Sequence, residues 1–155
     1  MGKLYLVFGL AFASFFTANA QDISESAIGI RFGDNSGFGS EISYQQLIGY
    51  TNRLEIDFGF RNKSGYNSYK ATGIFHWVWS LENRFNWYAG FGAGFGNIKG
   101  GGNSNTFFFA TGGIGIEYNF EAPFLISLDF RPEYSLYSVY KGLKSNIGLS
   151  LRYQL

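Results

Sequence analysis

Apolar and polar side chains alternate along this chain in eight separate runs. The clearest covers residues 146–155, where Ile147, Leu149, Leu151, Tyr153 and Leu155 alternate with Asn146, Gly148, Ser150, Arg152 and Gln154. Leu54, Ile56, Phe58 and Phe60 alternate in the same way with Glu55, Asp57, Gly59 and Arg61. An extended chain points successive side chains to opposite faces, so each run predicts a strand with one oily and one polar face. Further strands are predicted over 27–33 (Ile28, Ile30, Phe32 against Gly29, Arg31) and 38–48 (Phe38, Ile42, Tyr44 against Glu41, Ser43, Gln45). Over 69–80, Phe75, Trp77 and Trp79 oppose Lys70, Thr72, Ile74, His76 and Val78, and over 87–97 an aromatic and alanine face opposes Tyr88, Gly90, Gly92, Gly94 and Gly96. Phe108, Ile114, Ile116 and Tyr118 oppose Thr111, Gly113, Gly115 and Glu117 over 106–118. Phe124, Ile126, Leu128 and Phe130 oppose Ser127, Asp129, Arg131 and Glu133 over 124–133. Turns or loops are expected at 34–37, 49–52, 62–67, 82–84, 98–105, 119–123 and 135–144.

The two faces decide between inside and outside. No oily face carries a charge in any run, whereas the polar faces carry charges and rows of glycine. Glycine on an outer wall has little purpose; in a narrow interior it makes room for large side chains. The pattern therefore predicts an all-β fold, an eight-stranded antiparallel up-and-down transmembrane β-barrel with oily side chains facing lipid. Runs of ~9–11 residues suit tilted membrane strands. Aromatic residues gather at the strand ends: Trp79, Trp87, Tyr118 and Tyr153 toward one rim, Tyr69, Tyr134, Tyr137 and Tyr140 toward the other. A girdle at the lipid–water boundary accounts for this placement.

Composition adds exclusions. The chain has 155 residues, 21% aromatic, 22 Gly, 2 Pro and no Cys, so disulfides, thiolate metal sites and a catalytic thiol are excluded. A formal charge of +1 gives no reason to expect nucleic acid as a partner. Lys3, the apolar residues 4–16 and Thr17-Ala18-Asn19-Ala20 have the form of a secretory signal peptide, too short for a membrane span. Residues 1–20 are expected to be removed, leaving 21–155 as one barrel domain. An even strand number puts both termini on one side, the periplasm for an exported chain.

Candidate chemistry lies on the polar faces. The inward set is Arg31, Glu41, Glu55, Asp57, Arg61, Lys70, His76, Glu117, Asp129, Arg131, Glu133 and Arg152. Buried charges must pair, and turn positions suggest Glu41 opposite Arg61, Glu55 opposite His76 and Asp129 opposite Arg152. A plug of ion pairs fits eight strands best, because their interior is just filled by side chains; the glycines of 87–97 keep a narrow path for small solutes open as an alternative. His76 is the sole histidine. A lipid hydrolase would need a serine beside it, and Ser80 is four positions along the same strand, ~13 Å away. Glycines 90–102 contain no G-x-G-x-x-G and no following Lys-Ser/Thr. Asn62-Lys63-Ser64 is a sequon explained by loop polarity, and a His/Cys cluster for a metal is absent. Lys63, Lys99, Lys141 and Lys144, with Tyr66, Tyr137 and Tyr140, form a rim able to meet lipopolysaccharide phosphates. No catalytic, cofactor or metal residue is assigned.

The Ala18-Asn19-Ala20-Gln21 export site, the eight alternating segments and the Tyr153–Leu155 ending together resemble the small, eight-stranded outer-membrane β-barrel family of Gram-negative bacteria. That family commonly ends in Phe, read by the barrel assembly machinery; this chain ends in Leu155. The resemblance implies an outer-membrane location and contact with membrane lipid. The family contains adhesion and stability proteins, lipid-modifying enzymes and small pores, so the resemblance does not choose among them. The expectation from the residues is a non-enzymatic structural or surface-interaction protein, with a narrow pore and a lipid-modifying enzyme as alternatives. A ligand and an oligomeric state are not readable from the sequence.

Overall fold

The computed structural model describes residues 23–33, 39–120 and 122–155. The expected leader, Phe38 and the turn at 34–37 lie outside the described residues. The elements are β1 (Ser26–Gly33), β2 (Ser40–Ile48), β3 (Asn52–Lys63), β4 (Tyr66–Glu82), β5 (Phe85–Gly100), β6 (Asn103–Asn119), β7 (Phe124–Phe130), β8 (Glu133–Ser135), β9 (Gly142–Lys144) and β10 (Ile147–Gln154). Ser138–Tyr140 forms one 3-10 turn between β8 and β9.

All pairings are antiparallel. Sequence neighbours pair from β1 through β7, β10 lies against β7, and β1 closes on β10, with Ala27 opposite Gln154 and Gly33 opposite Gly148. β7 and β8 form one stave interrupted at Pro132, which has no N–H for the ladder. β9 and β10 form another, and the two junctions are tied by Arg131 and Asn146, whose backbone groups exchange hydrogen bonds of 2.6 and 3.1 Å. Ten segments thus make a closed barrel of eight staves, and closure leaves no open edge within the ring.

The faces are inverted relative to a water-soluble protein. Phe58, Leu128 and Leu151 are 47, 50 and 52% exposed on the outside, whereas Asp57, Asp129 and Arg152 are 0, 3 and 0% exposed within. An exterior of Ile, Leu, Phe and Trp around an ionic interior is the surface of a membrane-spanning barrel.

The strands are longer than the sequence pattern suggests. β4 and β6 have 17 residues and β5 has 16, about six more than the ~9–11 needed to cross a bilayer. The expected loops at 62–67 and 98–105 are mainly strand, closed by two-residue turns at Ser64-Gly65 and Gly101-Gly102. Both residues of each turn have positive φ, 52° and 80° in the first and 58° and 81° in the second. This is the primed turn whose twist matches that of paired strands. Above Phe60, Phe95 and Phe108 the outward positions become Asn62, Asn67, Asn97, Lys99, Ser104 and Thr106. The oily band ends there, and the upper part of β3–β6 stands clear of it as a wall.

Candidate functional site

The interior is a connected ionic network. Arg31 projects inward from β1, where its Nε and Nη2 donate to Asp129 on β7 (Nη2 at 2.5 Å) and its Nη1 donates to Glu41 on β2 at 3.1 Å. Lys70 on β4 donates to Glu133 at 2.8 Å and lies 3.3 Å from Glu41. Arg131 crosses the lumen to β3, donating to Asp57 at 2.5 Å and to Glu55. Arg152 donates to Ser43 and Ser127 and approaches Glu55 at 3.2 Å. Toward the end carrying the termini, Arg53 donates to Glu117 at 2.8 Å, which also accepts from Asn86.

Five cations and six carboxylates are buried among the described residues. Of the expected inward set, Arg31, Glu41, Glu55, Asp57, Lys70, His76, Glu117, Asp129, Arg131, Glu133 and Arg152 lie in the interior. Arg61 shares their inward parity but is only half-buried, near the upper end of β3. Arg53, at the opposite end of β3, is buried in the interior as well; the sequence reading missed it because the preceding turn was expected to run to Asn52. Arg53 has the same parity as Glu55 and Asp57, and that was the available signal.

The expected partners are also corrected. Glu41 faces Gly59 on β3, and its cation neighbour is Arg31 on β1. His76 is directly opposite Arg53, with Glu55 diagonal at 3.9 Å. Asp129 is paired with Gly148, and Arg152 with Leu125. Each hairpin is centred one or two residues earlier in the chain than the expected pairing requires.

The glycine rows are filled by their neighbours. A Cβ on Gly94 would overlap the ring of Phe109, one on Gly96 that of Phe107, one on Gly115 that of Tyr88, and one on Gly148 the guanidinium of Arg31. Phe107 and Phe109 are inward-facing and buried. The space beside Gly94 and Gly96 is therefore occupied by side chains of β6, and that beside Gly90 and Gly92 by β4.

The mouth away from the termini holds a residue assigned by sequence to the rim. Tyr140, expected to face outward, is 4% exposed. Its ring stacks on Phe107 at 4.4 Å with a 16° interplanar angle, and its hydroxyl donates to Glu133 at 2.7 Å. An oily stretch of loop tucks in here because Phe107 and Phe109 would otherwise be wetted.

His76 packs against Tyr88 with ring centroids 4.8 Å apart, while Ser80, just before the bulge in β4, is exposed. No hydroxyl nucleophile is hydrogen-bonded to His76 among the described residues. No group of three or more His, Cys, Asp or Glu side chains able to hold a metal is present among them either. Apart from Tyr140, the aromatic residues expected as a girdle lie on the exterior. Trp79 stacks on Trp87 at 4.3 Å, Tyr118 lies by Phe85 at 4.7 Å and Tyr153 by Phe124 at 5.6 Å, all toward the rim with the termini. Tyr134 is exposed toward the opposite rim.

No family model and no curated protein sequence matches the chain. Solved structures do. The N-terminal β-barrel domain of Pseudomonas aeruginosa OprF superposes with a TM-score of 0.61 at 14% identity, covering 84% of this chain and 98% of that one. Neisserial surface protein A gives 0.61 at 14% identity, covering 84% and 96%. Ail, the attachment invasion locus protein of Yersinia pestis, gives 0.57 at 16% identity, covering 84% and 96%. The chain thus has the closed eight-stranded antiparallel fold of these small barrels.

Proposed function

We propose that this chain is an integral outer-membrane protein, non-enzymatic, that works through contacts made at the outer cell surface. The observation that carries this reading is the wall of β3–β6 standing above the oily band. The outward face of its upper part is polar while the strands stay paired, which a stave serving only to span the membrane does not need. Residues 103–106 of β6 are exposed, and no described strand pairs with their far side. Unpaired backbone N–H and C=O groups on a strand edge can accept an extended segment of another chain. Lys63, Lys99 and Lys141 are exposed at the same end and would meet the phosphates of lipopolysaccharide. The termini then lie in the periplasm, and assembly would pass through the barrel assembly machinery. Solid ionic filling favours a closed interior over a pore, and the isolation of His76 from a nucleophile favours a binding role over lipid hydrolysis.

The test compares cells producing the full chain with cells producing a version whose β5–β6 hairpin is shortened by removing residues 98–105 and closing with Asn-Gly. Both barrels should show heat-modifiable migration in detergent gels. Attachment to immobilised host-type proteins, or cell–cell aggregation, should fall severalfold for the shortened chain. Equal behaviour of the two in every assay would remove the wall from the proposed role.

A further inference from the structure

The upper lumen contains a site built for an aromatic ring and filled by the chain itself. Tyr140 arrives from a short connection, 136–141, between β8 and β9. Within the connection, Tyr140 N–H donates to Tyr137 O at 2.9 Å, and Tyr137 N–H donates to Ser135 Oγ at 3.3 Å. Leu136 and Tyr137 are exposed above it. The anchor is the Tyr140 side chain, and the described groups around that ring suit it. Phe107 stacks beneath, and Lys144 Nζ lies 4.7 Å from the ring centroid on the loop side. Phe109 approaches at 5.9 Å, and Glu133, itself held by Lys70, accepts the phenol proton. Gly94 and Gly96 clear the volume into which Phe107 and Phe109 fold. Gly142, with φ at 98°, supplies the hinge behind Lys141.

We propose that this pocket is a ligand site for a planar ring bearing a hydrogen-bond donor, held shut in this structure by Tyr140 acting as a displaceable lid. The chemistry on the page defines the ligand class. Stacking and a cation over the face select a π-system, and a buried carboxylate beyond its edge selects a donor. The site is independent of the surface-contact role and stands or falls apart from it.

The chain has no cysteine, so an introduced one reports access without interference. Thr72 is buried and inward on β4, opposite Gly94 and so at the level of Phe109, below the lid. In the refolded full chain, Thr72→Cys should react slowly with a small methanethiosulfonate. Adding Tyr140→Ala should raise the rate at least about tenfold, as a factor of ten is only ~1.4 kcal/mol of lid closure. Millimolar p-cresol, the side chain of tyrosine in free form, should restore protection, whereas cyclohexanol, with the hydroxyl but no planar ring, should not. Tyr140→Val, much smaller than the ring but still apolar over Phe107, serves if the alanine variant fails to give a heat-modifiable barrel; it should also open the site and be rescued. Rapid labelling with Tyr140 intact, no acceleration on its replacement, or acceleration that p-cresol leaves unchanged would each overturn the proposal.

Discussion

Arg131 shows what holds the interior together. Its guanidinium reaches two carboxylates, Glu55 and Asp57, on the far side of the lumen, and all three side chains are shut away from water. A buried ion pair is weak net stabilisation, because desolvation offsets much of the attraction, but removing one partner leaves a charge with nothing to answer it. Arg131→Met should therefore destabilise the barrel by about 3–5 kcal/mol. Urea unfolding in lipid vesicles, followed by tryptophan fluorescence, reads this directly. Combining it with Asp57→Asn, which removes one of the stranded carboxylates, should recover part of the loss. Strict additivity of the two changes would show that the contact contributes nothing specific. The same logic explains why glycine lies beside the largest inward side chains: in a barrel of this bore, room for a guanidinium or a phenyl ring has to come from a neighbour.

At the scale of the strand, legibility follows the solvent on each face. Where one face meets lipid and the other meets charge, alternation is strong, and all eight staves were readable from it. Above Phe60, Phe95 and Phe108 the outward positions turn polar, so alternation fades while the backbone pairing continues; that is why 62–67 and 98–105 read as loops. The missed signals were Ser64-Gly65 and Gly101-Gly102, two-residue pairs suited to primed turns. The interior was readable as a set of charges by parity, but not as a set of pairs, because partners such as Arg131 and Asp57 face each other across the lumen rather than along a hairpin. Tyr140 was unreadable for a different reason: nothing in 135–144 shows which aromatic ring folds inward. The turns carry a prediction of their own. Gly65 and Gly102 hold φ near 80°, a region that costs a residue with a Cβ roughly 1–2 kcal/mol. Gly65→Ala and Gly102→Ala should each lower stability by about that amount in the same unfolding assay. Because these tips lie beyond the oily band, insertion into the membrane should be unchanged. A loss of insertion would place the tips within the bilayer.

For the whole molecule, the governing fact is that the ring closes with its oily face outward. That arrangement makes a prediction that no soluble barrel shares. Leu149 is exposed and lies near the middle of β10, opposite Phe32 on β1 and Leu128 on β7, both of them outward and apolar. Tyr153 is equally outward but lies at the rim that carries the termini, beside Phe124. A lysine at the bilayer midplane costs about 2–4 kcal/mol, and one near the interface about 0–1, because the ammonium there reaches water. Leu149→Lys should thus be markedly less stable in vesicles than Tyr153→Lys, although both replace exposed residues on the same face of the same strand. In a water-soluble protein, exposed lysines at either position would cost within about 0.5 kcal/mol of each other. The difference between the two variants therefore measures depth rather than packing. A difference near zero would mean that lipid is not the medium around β10, and the inverted faces of this fold would then need another explanation.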